Sequence, residues 1–96
     1  MLSNEETNDL VTQAKNGDDL AKEKLITVNS PLIKSVIKRY LNKGIEYDDL
    51  FQLGALGFVK AIKNYDSSFN VKFTTYAVPM IAGEIKRYLR DNGFIK

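Results

Sequence analysis

One stretch limits the possible folds more than any other. From Tyr47 the chain reads Tyr47-Asp48-Asp49-Leu50-Phe51-Gln52-Leu53-Gly54-Ala55-Leu56-Gly57-Phe58-Val59-Lys60-Ala61-Ile62-Lys63-Asn64-Tyr65. On a helix, Leu50, Phe51, Leu53, Leu56, Phe58, Val59 and Ile62 cover more than one side. Such a helix is buried on two sides, or offers one side to a partner. Gly54, Ala55, Gly57 and Ala61 are small, and the glycines lower helix propensity. Their presence is explained by close approach of another backbone. A short polar break, Asp66 to Asn70, leads into a second helical stretch with aromatic residues at its start and basic residues at its end.

The rest of the chain reads as helices that hold this pair. Ser3 followed by Glu6 is a capping-box pattern and predicts a first helix over about Asn4 to Lys15. Gly17 stops it by taking the left-handed conformation cheaply. Asp18 and Asp19 open a short second helix from Leu20 to Ile26. Ser30-Pro31 predicts a third start, with Ser30 as the N-cap and Pro31 at the first helical position. Its stripe is Leu32, Ile33, Val36, Ile37, Tyr40 and Leu41, with Gly44 as the stop. Asp48 and Asp49 open the fourth helix, where carboxylates suit the positive end of the macrodipole. Thr74 is the expected N-cap of the fifth, which ends near Asn92-Gly93. Pro79 lies inside it and predicts a kink or a delayed start. No strand pattern, repeat or long linker competes. The expected class is all-α: one compact bundle of about five helices in a single domain.

Composition excludes several function classes. The chain has 96 residues, enough for one small domain, and neither cysteine nor histidine. Disulfides, thiolate or imidazole metal sites and Ser-His or Cys-His nucleophiles are therefore excluded. Asp48 and Asp49, adjacent on a helix, do not face each other, and helix capping accounts for them better than acid–base chemistry. Gly54 and Gly57 sit within a helix, not in a phosphate-cradling loop. The chain is expected to be no enzyme and to use no cofactor. No apolar run reaches membrane-spanning length, and the N-terminus does not read as a signal peptide. A cytoplasmic location is expected.

Net charge is only +2, but its distribution is uneven. Glu5, Glu6, Asp9, Asp18 and Asp19 crowd the N-terminal end; Lys86, Arg87, Arg90 and Lys96 crowd the other. Phe69, Phe73 and Tyr76 cluster around the last connection, with Lys72 among them. Interleaved aromatic and basic residues suit single-stranded nucleic acid, where bases stack on rings and cations hold phosphates. The same residues also suit a core cluster and a solvated C-terminal turn. Composition and spacing leave both open.

Two blocks extend this reading. Asp48 to Gly57, followed by Lys72-Phe73-Thr74-Thr75-Tyr76-Ala77, resembles conserved region 2 of the bacterial sigma-70 family in content and spacing. Arg39 to Lys43 and the helix before them are similar to the family's preceding segment. The resemblance covers roughly Asp18 to the C-terminus, behind a leading helix in residues 1–17. The run Tyr76-Ala77-Val78-Pro79-Met80-Ile81-Ala82-Gly83-Glu84-Ile85 is most similar to the sporulation and stress group, especially the forespore factors sigma F and sigma G.

The resemblance implies a transcription initiation domain that binds core RNA polymerase and recognises and melts the −10 promoter element. It implies that the first block docks on the clamp helices of the largest polymerase subunit. Asp49 and Gln52 match polar contacts there, with Leu53, Leu56 and Val59 at an apolar edge. Leu53 and Ala55 depart from the housekeeping pattern of an acidic residue and an amide. Phe73, Thr75 and Tyr76 match positions that meet the non-template strand of the −10 element. Pro79 and Met80 stand where housekeeping factors carry a tryptophan pair. Gly83 and Lys86 stand where those factors read the upstream end of the element. Lys72, Lys86, Arg87 and Arg90 are the expected phosphate or base contacts, and Met80 joins them as a DNA-facing residue. Complete factors carry further helical domains, so the chain is expected to be an isolated domain. A protein-interaction module for an anti-sigma factor or the polymerase clamp is the alternative.

Overall fold

The structure is a computed structural model that describes residues 2–93. Five α-helices follow one another among the described residues: α1 (Asn4–Lys15), α2 (Asp19–Val28), α3 (Ser30–Ile37), α4 (Tyr47–Asn64) and α5 (Phe73–Asp91). The all-α bundle is as expected, and the local signals explain most of its boundaries. The Ser3 hydroxyl accepts the Glu6 N–H at 3.1 Å, and the Ser3 N–H donates to Glu6 Oε1 at 3.0 Å. Gly17, at φ +98°, turns the chain out of α1. Asp18 Oδ1 then accepts the N–H groups of Leu20 and Ala21, satisfying two otherwise orphaned donors of α2.

Three boundaries differ from expectation, each for a packing reason. Ser30 does not cap α3. Its hydroxyl donates to the Ile26 carbonyl at 2.9 Å, so it is engaged by the last turn of α2. The first bond of α3 instead runs from the Ile33 N–H to the Asn29 carbonyl, with Asn29 as the N-cap. The α3 helix also ends before Leu41. It tightens into a 3-10 turn over Lys38–Tyr40, with Tyr40 buried and Leu41 half-exposed. Thr74 does not cap α5. That helix begins at Phe73, with Lys72 as N-cap and no side-chain cap. The Phe73 ring is driven into the core, and the helix starts two residues earlier than expected.

The paired helices α4 and α5 form the body of the bundle. At Gly57 the two backbones touch: a Cβ there would lie 2.7 Å from both Ile81 Cα and the Met80 carbonyl oxygen. At Gly54 a Cβ would meet the Cγ2 methyls of Ile33 at 2.9 Å and Ile37 at 3.0 Å. Thus α4 is pressed by α5 at one glycine and by α3 at the other. Leu50, Phe58, Ala61 and Ile62 of α4 are buried with Ile33, Ile37, Ala77, Ile81 and Ile85. This accounts for two sides of the over-apolar helix. Pro79 lies on an exposed face of α5, and the helix continues through it without a break. There the lost N–H leaves only the Thr75 carbonyl without its helical donor.

Candidate nucleic-acid interface

The connection between α4 and α5 is built to display rings. Asp66 Oδ1 accepts the Ser68 N–H at 2.9 Å, and the Asp66 carbonyl accepts the Phe69 N–H at 2.9 Å. The Tyr65 hydroxyl crosses the loop to donate to the Val71 carbonyl at 2.8 Å. Tyr65 is the hub. Its ring lies 5.7 Å from Phe69, 5.3 Å from Phe73 and 5.5 Å from Tyr76, and Phe69 lies 5.6 Å from Tyr76. Phe73 also meets Phe58 edge-on at 5.4 Å. The cluster runs continuously from the core to the surface.

Burial sorts these rings. Tyr65 and Phe73 are 3% and 2% exposed, whereas Phe69 is 43% exposed and Tyr76 is half-buried. Phe73, expected as a strand contact, is buried in this structure; its ring is core and supports the others. Phe69, which the family match did not single out, takes the outer position. Its signal in the sequence was its place beside Tyr65, Phe73 and Tyr76, which only the fold turns into contact.

From this cluster an exposed stripe continues along α5. Lys72, Thr75, Pro79, Gly83, Lys86, Arg87 and Arg90 are all exposed, at steps of three or four apart from the adjacent Lys86 and Arg87, while Tyr76 and Met80 are half-buried along it. Spacing of this kind puts them on one helical face. Lys72 and Lys86 make no ion pair among the described residues, and Arg90 Nε pairs with Asp91 Oδ1 at 3.2 Å on the surface. Lys96 lies outside the described residues.

Arg87 differs from its neighbours. Its Nη2 donates to Glu84 Oε1 at 2.7 Å, and Lys60 Nζ of α4 donates to the same oxygen at 2.7 Å. Burial alone would raise the Glu84 pKa, but the hydrogen bonds and charges of Lys60 and Arg87 outweigh it and hold the carboxyl below its ordinary value.

Two further surfaces adjoin. A groove of about 820 Å³ opens beside Phe69, with Asn4, Asn8, Asn29, Asn70 and Lys72 in its lining. Sequence reasoning did not mark these amides, because they come from three separate segments. On α4, Asp49 and Gln52 are exposed, Leu56 is 44% exposed, and Leu53 and Val59 are half-buried. Their spacing puts the five on one helical face, with Leu53 packed against the core and Asp49, Gln52 and Leu56 exposed. No helix among the described residues is long and apolar enough to cross a membrane, and no acidic cluster among them could hold a metal ion.

Residues 25–95 match the family described as Sigma-70 region 2. Over its whole length the chain is 56% identical to the RNA polymerase sigma-G factor of Bacillus subtilis, covering 37% of that protein. It is 52% identical, again over all its residues, to the sigma-G factor of Clostridium acetobutylicum, covering 37% of that protein. The sigma-F factor of Bacillus subtilis is 47% identical over 99% of the chain, with 37% of that protein covered. The chain thus spans a little over a third of the length of these relatives. The match carries the helical architecture and the likeness to the sporulation group, and sigma factors are not enzymes. The chain belongs to the Sigma-70 region 2 family.

Proposed function

We propose that this domain binds core RNA polymerase through the exposed face of α4 and engages the −10 promoter element through the exposed face of α5. One observation carries the reading: two adjacent helices, locked backbone to backbone at Gly57, each keep one face of distinct chemistry uncovered. The α4 face has a polar end in Asp49 and Gln52 and an apolar remainder in Leu53, Leu56 and Val59. That mixture suits a protein surface with a small apolar centre. The α5 face begins at Tyr76, beside Phe69 of the preceding connection, and ends with Lys86, Arg87 and Arg90. Bases of an opened strand stack on the rings, and the cations meet phosphates upstream. The amide-lined groove beside Phe69 has donors and acceptors suited to a base edge. Such a function is exercised in the cytoplasm, where polymerase and promoter meet.

A second reading rests on Leu56, whose exposure together with Leu53 and Val59 fits any protein partner, an anti-sigma factor included. Equilibrium binding to core polymerase separates the two. Replacing Asp49 and Gln52 together by Ala is expected to weaken core binding at least tenfold, with helicity and melting temperature nearly unchanged. Core affinity equal to wild type would remove the polymerase assignment from this face.

A further inference from the structure

The meeting of α4 and α5 contains one carboxylate with two cations on it. Gly57 admits α5 so closely that a Cβ there would lie 3.2 Å from Glu84 Cβ. Glu84 is thereby aimed at Lys60, one turn further along α4. Lys60 Nζ and Arg87 Nη2 reach the same Oε1, each at 2.7 Å. The Glu84 side chain is 11% exposed, Lys60 38% and Arg87 50%. Taking a carboxylate this far from water has a desolvation cost that an apolar residue of similar size would avoid. Stability alone therefore does not explain Glu84.

We propose that Glu84 is a positioning residue that restrains non-specific DNA binding by withholding Arg87 from loose phosphate contacts. The proposal rests on the reading of α5 as the DNA-facing helix. Along the exposed stripe, Lys86 is unpaired among the described residues, and the surface pair of Arg90 with Asp91 is a weak restraint. Arg87 alone is tied to a nearly buried carboxylate, and its guanidinium keeps further N–H donors on the half-exposed side. A phosphate seated on the stripe meets those donors in the orientation that Glu84 imposes. A phosphate arriving elsewhere meets a guanidinium it cannot reorient, with a negative charge directly behind it.

The test uses the 96-residue chain and a fluorescent duplex of random sequence, titrated at several salt concentrations. Glu84→Gln keeps the shape and removes the charge. It is expected to raise affinity about three- to tenfold at about 50 mM salt, and to steepen the log–log salt slope by about one, the increment for one added phosphate contact. Combined with Arg87→Gln, the gain is expected to vanish. A purely structural Glu84 would lower the melting temperature and leave the slope alone. Should the amide variant melt below the assay temperature, Glu84→Met, which leaves no polar group to satisfy, repeats the comparison. An unchanged affinity and slope in these Glu84 variants, with binding still weakened by Arg87→Gln and Arg90→Gln, would overturn the proposal and leave the DNA-facing reading standing. If Arg87→Gln and Arg90→Gln have no effect either, the DNA-facing reading fails first.

Discussion

At the residue scale, the two glycines of α4 make a sharp contrast. A methyl at position 57 would strike backbone atoms of α5 at 2.7 Å, whereas a methyl at position 54 would press on the Cγ2 methyls of two buried isoleucines at 2.9 and 3.0 Å, so that side chains rather than backbone must give. Gly57→Ala is therefore expected to destabilise the domain by about 1–3 kcal/mol. In Gly54→Ala, alanine's advantage in helix propensity of about 1 kcal/mol offsets part of the crowding, so the loss is expected to be smaller. Thermal melts followed by circular dichroism check both, and equal losses would contradict the backbone contact at Gly57. Glu84 makes a prediction about pH. Its folded pKa is depressed, so its contribution to stability is complete above the ordinary glutamate range and is lost as pH falls through the lowered value. Glu84→Gln should flatten the acid limb of melting temperature against pH. Some slope should remain, because backbone and side-chain hydrogen bonds from Ser3 and Ser68 lower the pKa values of Glu6 and Asp66. An acid limb identical to wild type would show that the carboxylate contributes nothing there.

At the element scale, helix starts set by local side chains were legible in the sequence, and those set by packing were not. The Ser3–Glu6 box and the Asp18 cap satisfy backbone donors within three residues, so their sequence pattern is sufficient. Ser30 and Thr74 carry equally good local signals, but tertiary contacts decide otherwise. Ser30 is taken by the Ile26 carbonyl, and Phe73 is pulled into the Phe58–Tyr65 cluster. The family resemblance placed Phe73 and Tyr76 side by side as DNA contacts, and only burial distinguishes them. Glu84 and Arg87 are visible as neighbours on one helix face, but Lys60 is 24 residues away from Glu84 and enters only through the fold. Pro79 is the element-scale test. It interrupts α5 at an exposed position, so Pro79→Ala restores a donor for Thr75 and should raise stability by about 1–3 kcal/mol. A lower melting temperature would mean that the helix has adapted its packing to the proline.

At the scale of the whole molecule, the domain works as a rigid pair of helices with two outward faces. The buried contact at Gly57 fixes one face relative to the other. Under the proposed function, a polymerase held on α4 would determine where α5 and its rings stand over DNA. The most direct measurement is the affinity of the domain, assembled on core polymerase, for a single-stranded non-template −10 oligonucleotide. Wild type is compared with Tyr76→Ala and Phe69→Ala at equal polymerase occupancy. Stacking on a ring is worth about 1–3 kcal/mol per base. We predict about a tenfold or greater loss of strand binding in Tyr76→Ala, a smaller loss in Phe69→Ala, and no change in polymerase affinity for either. Strand affinity equal to wild type in both variants, with the domain folded and bound to polymerase, would contradict the assignment of the α5 face to the opened promoter.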